Sequence, residues 1–122
     1  MKAINLTEKF SQFQEQWTPK IIAELNGQHV KLARVQGEFV WHDHANEDEL
    51  FYVLKGTLLI DFRDAPTVEL NPGELCVVPR GVEHNPRTKD GAEVHLLLLE
   101  PAETKHTGAV ESERTVTELE WI

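Results

Sequence analysis

The sequence predicts one all-β domain, a sandwich or barrel of short strands with a short helix at its N-terminus. From residue 20 onward, runs rich in Val, Ile, Leu and Phe are separated by turn signals that contain Gly, Pro, Asn or Asp. Their spacing is close to the ~8–12 residues typical of such folds. A length of 122 residues falls in the one-domain range. We therefore expect a helical segment over residues 1–20, a barrel over 21–100 and an acidic C-terminal extension over 101–122.

The N-terminal segment has the pattern of an amphipathic helix. Its apolar side chains recur at helical spacing, at Leu6, Phe10, Phe13 and Trp17. Asn5 can cap the helix, with Glu8 as its capping-box partner. Pro19 ends the pattern, because proline cannot continue a helix. We expect this helix to pack against the barrel wall.

The strongest hairpin signal among the strands is Asn26-Gly27. It separates two apolar runs, and a type I′ turn favours these residue types because both central positions need a positive φ. The sequence therefore predicts two antiparallel strands joined at this dipeptide.

Composition and charge narrow the classes of partner. The formal net charge of −9 argues against nucleic acid, which needs clustered Lys and Arg. Apolar runs such as Leu96 to Leu99 are too short to cross a bilayer, and the N-terminus lacks a signal-peptide pattern. Cys76 is the only cysteine, so no intrachain disulfide can form, and its apolar setting predicts a buried packing residue. We expect a cytoplasmic protein with no membrane partner.

The chemistry of the chain is concentrated around an H-x-H pair. His42 and His44 flank Asp43, and alternate side chains of an extended strand point to the same face, so both imidazoles are available to one metal ion. Glu49 follows after four residues and can supply a carboxylate. Asp48 is the alternative carboxylate ligand, whereas Glu47 is expected to face solvent.

A third histidine follows a second glycine- and proline-rich turn. His84 ends the run PGELCVVPRGVEH, which allows a later strand to bring another imidazole to the same place. Three neutral imidazoles and one carboxylate around a divalent ion give a net charge of +1, and an octahedral arrangement leaves two positions open. Mixed nitrogen and oxygen ligands suit Mn, Fe, Co, Ni, Cu or Zn, so the sequence does not name the metal.

These two stretches resemble the paired motifs of the cupin superfamily. The first motif, G-x5-H-x-H-x3 or x4-E-x6-G, is matched from Gly37 to Gly56, with one residue fewer between Gly37 and His42. The second, G-x5-P-x-G-x2-H-x3-N, is matched from Gly73 to His84, with Thr88 at the position of the closing asparagine. The resemblance implies a double-stranded β-helix, or jelly-roll, barrel. It also favours Glu49 over Asp48, because six residues then precede Gly56.

Strand parity predicts which side chains surround the metal. The inward-facing candidates are Glu38, Val40, Phe51, Val53, Pro86 and Thr88. Most are apolar, which suits a small, partly hydrophobic ligand. Glu38 is the one ionisable residue among them and the candidate catalytic acid or base, provided that it is buried. Three arginines, Arg63, Arg80 and Arg87, could bind a carboxylate but are expected at the surface, and His29, His95 and His106 are expected to be structural or solvated.

The resemblance implies a metal-dependent enzyme that acts on a small organic molecule, either a dioxygenase or a sugar or keto-acid isomerase. A non-catalytic cupin that binds or senses a metabolite or metal is the alternative. Single-domain cupins commonly pair through sheet extension or face packing, so we expect a homodimer. The run His95-LLLL-Glu100 contains more leucines than one inward face needs, which predicts that some belong to an outer layer or to the dimer interface.

Overall fold

The protein folds as two antiparallel sheets that pack as a jelly roll. A computed structural model describes residues 1–104, 107–108 and 118–122. Helix α1 (Leu6–Phe10) precedes a sheet in the order β1 (Lys20–Leu25), β2 (Gln28–Val35), β8 (Val94–Pro101), β3 (Glu49–Lys55) and β6 (Leu75–Val78). The second sheet has the order β5 (Val68–Leu70), β4 (Leu58–Phe62) and β7 (His84–Thr88), and a 3-10 turn, Lys89–Gly91, precedes β8. The predicted all-β fold with one short helix is confirmed.

The main core lies between the two sheets and follows from side-chain alternation. Along β8, Val94, Leu96, Leu98 and Glu100 are buried and alternate with half-buried residues. The larger sheet and the smaller sheet contribute to one cluster, for example through Val53 and Ile60, both 0% exposed. Leu97 points the other way and packs in a second cluster on the outer face of the larger sheet. The prediction of an outer layer for part of the leucine run is therefore confirmed.

The hairpin between β1 and β2 forms as predicted. Asn26 and Gly27 adopt φ values of 49° and 77°, and Leu25 pairs with Gln28 on either side of the turn. Both turn residues therefore have the positive φ that a type I′ turn requires.

The helix is shorter than the sequence pattern predicts. Asn5 caps it by accepting a hydrogen bond from the Glu8 backbone N–H at 2.9 Å, but the helix ends at Phe10. The guanidinium of Arg34 donates to the carbonyl oxygens of Phe10 and Phe13, at 2.7 and 2.8 Å. These tertiary hydrogen bonds hold the segment in an irregular path. The prediction of helix through residue 17 is therefore wrong.

Trp17 belongs to a different layer from Phe10 and Phe13. The two phenylalanines pack in the outer cluster with Ile22 and Leu32, as expected for a segment that lies on the barrel wall. Trp17 has a φ of 57°, donates its backbone N–H to Arg34 O and turns into the core between the sheets. A helix could not place all three side chains in this way.

The described part of the C-terminal extension returns to the edge of β1. The Ile21 N–H donates to Glu120 O at 2.9 Å, and the Ile122 N–H donates to Ile21 O at 3.0 Å. No described helix is long and apolar enough to cross a membrane. Cys76 is half-buried against the inner core rather than fully buried, and burial raises the pKa of its thiol.

Candidate metal centre

Four buried side chains converge at one end of the barrel interior. One ligand atom from each of His42, His44, Glu49 and His84 lies within 4.8 Å of the others. Their residues are between 0% and 4% exposed, so water does not compete freely for these atoms. The structure thus brings together the three histidines and the glutamate that the motif spacing singled out.

Backbone pairing fixes the positions of these residues. His42 and His84 form a bridge in which each backbone N–H donates to the other's carbonyl, at 3.0 and 2.9 Å. The Gly81 N–H donates to His44 O at 2.9 Å and so ties the second glycine-rich turn to the H-x-H segment. Glu49 is the first residue of β3 and points inward, as do Phe51 and Val53 of the same strand. Glu49 and His84 thus lie on strands, and backbone hydrogen bonds to neighbouring segments hold His42 and His44.

The imidazoles are oriented with a ring nitrogen toward the centre. Nδ1 of His42 lies 2.8 Å from Val40 O, and Nδ1 of His84 lies 2.8 Å from Val82 O. A hydrogen on each Nδ1 can therefore donate to the main chain, which leaves Nε2 with a free lone pair. This is the tautomer that a metal-binding histidine needs.

Several polar atoms at the centre lack hydrogen-bond partners among the described residues. They are both ring nitrogens of His44, Nε2 of His84 and Oε1 of Glu49. Glu49 Oε1 lies 3.2 Å from His44 Nε2 and 3.6 Å from His84 Nε2. Buried polar atoms without partners are unfavourable, and a metal ion would satisfy three of these four together. The residues therefore fit one divalent ion.

The protonation states also suit metal binding. Burial, together with the neighbouring His84, lowers the pKa of His42 to about 4, so His42 is neutral at pH 7. Burial alone would raise the pKa of Glu49, but contacts with His44 and His84 hold that pKa well below its usual range. The site therefore presents a neutral His42 imidazole and an ionised Glu49 carboxylate.

A second buried carboxyl, that of Glu100, lies next to Glu49 on the neighbouring strand β8. Burial and the charge of Glu49 raise the pKa of Glu100 well above its usual range. Of the two neighbouring carboxyl groups, Glu49 is therefore the stronger acid. Strand spacing gives no hint of this carboxyl, because Glu100 ends an apolar run.

The competing carboxylates lie outside the cluster. Asp48 is exposed, and its Oδ1 accepts a hydrogen bond from the Arg80 backbone N–H at 2.8 Å. Glu47 is half-buried and is not part of the group of convergent ligands. Asp48 therefore anchors the turn before His84, whereas Glu49 faces the centre.

The prediction that Glu38 faces inward is wrong, and Val40 is half-buried and does not line a cavity at the ligands. The backbone N–H of Phe39 bonds to Pro86 O, and that of His42 bonds to His84 O. Moving three residues along the first segment therefore corresponds to moving only two residues along β7. This extra residue is a bulge, which reverses the alternation of side chains. Glu38 is exposed and accepts a hydrogen bond from Asn85 Nδ2 at 2.8 Å. Its predicted role as a catalytic acid or base required a buried side chain, and Glu38 is not buried.

Phe39 takes the inward place and lines an apolar cavity that reaches the ligands. The apolar lining residues are Trp17, Pro19, Ala33, Val35, Phe39, Phe51, Pro86, Leu96 and Leu98. The remaining lining residues are His42 and Glu49. Trp17 and Phe39 stack with ring centroids 4.6 Å apart and an interplanar angle of 11°. The cavity has a volume of about 30 Å³, so a planar substrate such as a phenol would require the lining side chains to move apart.

The other predicted wall residues divide into two groups. Phe51 and Pro86 line the cavity, as predicted. Val53 and Thr88 are buried but do not line it. The Thr88 hydroxyl accepts a hydrogen bond from the Gly37 N–H at 2.9 Å, so the residue at the position of the closing asparagine joins the two motifs.

The arginines and the remaining histidines make surface contacts. Arg63 binds Glu83 and lies 3.8 Å above the Trp41 ring, Arg80 is exposed, and Arg87 binds Asp61. His29 contacts Glu24, and His95 stacks on Phe10 at 4.3 Å. His106 lies outside the described residues. None of these described side chains lines the apolar cavity.

Both the fold and the sequence place the chain in a known family. The family profile of the cupin domain matches residues 28–100, which is more than half of the chain. The protein is a cupin. An uncharacterised Bacillus subtilis protein, YdbB, is 39% identical over 87 residues, which are 71% of this cupin and 77% of YdbB.

Solved structures share the fold. A cupin-2 domain protein from Shewanella frigidimarina is 48% identical, with a TM-score of 0.77 over 81% of this cupin and 94% of that chain. Hydroquinone 1,2-dioxygenase from Sphingomonas, solved with 4-nitrophenol, is 19% identical with a TM-score of 0.74. The match covers 84% of this cupin but 33% of the dioxygenase chain, and at this identity it is a likeness of fold alone.

Proposed function

We propose that this cupin is a metal-dependent enzyme of the dioxygenase type that acts on a small, mostly apolar organic molecule. The observation that carries the proposal is the apolar cavity that ends at His42 and Glu49. A substrate in this cavity would meet hydrophobic walls on its sides and the metal centre at one end.

The cavity lining favours dioxygenation over isomerisation of sugars or keto acids. A sugar carries several hydroxyl groups, each of which needs a hydrogen-bond partner when it is buried. Apart from His42 and Glu49, the lining consists of apolar side chains. A phenol or an enolisable ketone needs polar contacts at one end only, which suits this lining.

The chain's own residues would then have three roles. His42, His44, Glu49 and His84 hold the ion. A bound divalent ion would supply Lewis-acid chemistry at a substrate oxygen and positions where two reactants can meet. Trp17 and Phe39 present a flat stacked wall that orients a planar substrate, and the apolar lining excludes water.

Oxygen uptake tests the proposal. Protein loaded with Fe(II) or Mn(II) should consume oxygen with catechol, hydroquinone or an enolisable diketone, and a Glu49→Ala variant should not. Isomerisation of keto sugars without oxygen uptake would overturn the dioxygenase assignment in favour of the isomerase.

A non-catalytic binding or sensing role is the second candidate, and one observation favours it. Among the described residues, no side chain that could transfer a proton lines the cavity, apart from the two proposed metal ligands. Under this alternative, small phenols would raise the melting temperature of the metal-loaded protein while neither substrate nor oxygen is consumed.

We also propose a homodimer formed through the edge strand β6. Leu75 and Val77 on this strand are 56% and 50% exposed, and within the described ranges β6 pairs with β3 alone. The opposite edge of the sheet, β1, is covered at Ile21 by residues 120–122. An open apolar edge invites pairing with a second copy. The cytoplasmic location stays a prediction.

A further inference from the structure

A buried ion pair lies behind the proposed metal centre. Lys31 Nζ and Glu100 Oε1 are 2.7 Å apart, and their side chains are 1% and 0% exposed. Neither residue belongs to a cupin motif of this chain, and neither lines the apolar cavity. The pair is therefore unexplained by the proposed function alone.

Strand register connects this pair to the ligand Glu49. Leu50 of β3 pairs with Leu99 of β8, so the preceding Glu49 lies beside the following Glu100. Lys31 of β2 pairs with Leu98 of β8 and points inward, diagonally across from Glu100. Both side chains are buried on the same inner face of the sheet, so their carboxyl groups are neighbours. An inward-facing row of three ionisable groups thus crosses three adjacent strands and ends at the centre.

Such a row is unfavourable for stability by itself. Charges removed from water lose hydration, and an apolar replacement of a buried ion pair is often as stable or more stable. Glu49 would reach the metal from the start of β3 through a single carboxylate. That carboxylate could rotate away from the metal if no other residue contacted its second oxygen. A residue that contacts the carboxylate on the side away from the metal fixes its orientation. Hydrogen bonds from neighbouring residues orient metal ligands in the same way in general.

We propose that Lys31 and Glu100 are positioning residues that hold the Glu49 carboxylate in its metal-binding orientation and thereby set the affinity of the site. Lys31 holds Glu100, and Glu100 holds Glu49. The inference rests on the proposed function, because it requires that the four ligands bind a metal.

The test compares two replacements of the pair in untagged, full-length protein. The double variant Lys31→Met/Glu100→Leu replaces the ion pair with apolar side chains of similar length, so it is expected to fold. Its affinity for Mn(II) and Cu(II), measured by calorimetry, should fall about 10–100-fold. The EPR spectrum of its bound Cu(II) should differ from that of the wild type. The single variant Glu100→Gln keeps hydrogen-bonding atoms next to Glu49 and Lys31. It should therefore keep most of the wild-type affinity for Mn(II) and Cu(II).

Lys20→Met is the matched control. Lys20 is also a buried lysine in an ion pair, with Glu15, but it lies on β1 away from the ligands. Metal affinity of this variant should equal that of the wild type. Wild-type affinity and an unchanged Cu(II) spectrum in the double variant would overturn the positioning role. Failure of the wild type itself to bind any of these metals would instead overturn the proposed function.

Discussion

At the scale of single residues, the chemistry depends on atoms that have no partner among the described residues. Nε2 of His84 and Oε1 of Glu49 are buried without hydrogen bonds, whereas Asp48, one residue earlier, is exposed and bonded to the Arg80 main chain. Neighbouring carboxylates therefore have different roles because their environments differ. Burial raises the energetic cost of leaving Glu49 without a positive partner, and the same cost does not apply to Asp48.

Separate replacement of the two carboxylates checks this assignment. Glu49→Ala should reduce the metal content of untagged protein from about one ion per chain to a small fraction, because it removes the only charged ligand. Asp48→Ala should keep the metal and lose only the hydrogen bond to Arg80. Elemental analysis gives the metal content. Loss of metal from the Asp48 variant alone would contradict the assignment.

The lowered pKa of His42 predicts acid sensitivity of the metal-free protein. The imidazole has a pKa of about 4 in the folded state and near 6.5 when unfolded, so the unfolded state binds more protons between these values. The neutral His42 imidazole therefore makes its full contribution to the free energy of unfolding above pH 6.5. This contribution, roughly 3 kcal/mol, is lost as the pH falls from 6.5 toward 4.

Urea unfolding of metal-free protein from pH 7.5 to 4.5 measures this effect. The variant His42→Gln, which cannot titrate at this position, should lose less stability over the same range than the wild type. Parallel curves for the two proteins would contradict the prediction.

At the scale of elements, turns and one bulge decide where side chains point. The bulge between Phe39 and His42 moves Glu38 outward and Phe39 inward. The turn between β3 and β4 contains Gly56, with a φ of 82°, and a Cβ there would lie 2.7 Å from Glu93 O. Gly56 thus joins β3, whose first residue is the candidate ligand Glu49, to β4.

A pair of glycine substitutions separates backbone strain from close packing. Gly37 has the same φ of 82°, but a Cβ at this position would meet no described neighbouring atom within 4 Å. Gly37→Ala should cost about 1–2 kcal/mol from the left-handed conformation alone. Gly56→Ala should cost about 1–3 kcal/mol more, because Glu93 and Val94 must also shift. Denaturant unfolding measures both, and equal losses would contradict the packing argument.

At the scale of the whole molecule, two sheets enclose one core and leave their edges in different states. The β1 edge is covered by the C-terminal residues Glu120 and Ile122, whereas β6 carries exposed Leu75 and Val77. An open apolar edge such as that of β6 is expected to be buried against another copy.

Light scattering after size-exclusion chromatography tests the dimer. At micromolar concentration, the mass of the wild type measured by light scattering should be twice the chain mass of 13.9 kDa. Val77→Lys should give the monomer, because it places a charge in the apolar edge. Leu25→Lys is the matched control, since Leu25 is 49% exposed on the covered side of the sheet, and it should stay dimeric. A monomeric wild type would contradict the prediction.

Much of the fold and the ligand set can be predicted from the sequence, because they depend on local rules. The hairpin at Asn26-Gly27 follows from the φ preferences of two residues, and the H-x-H pair follows from strand alternation. Local rules fail where a distant residue intervenes. Arg34 ends the N-terminal helix by binding its carbonyls, and the bulge beside Pro86 reverses the parity that predicted an inward Glu38.

The sequence by itself thus determined an all-β cupin domain and the identity of four candidate ligands. Only the tertiary structure decided what surrounds them: the wall formed by Trp17 and Phe39, and the row from Lys31 through Glu100 to Glu49. The physical reason is the range of the interactions. Strand alternation and turn geometry act within a few residues, whereas burial and the pairing of charges depend on which strands become neighbours.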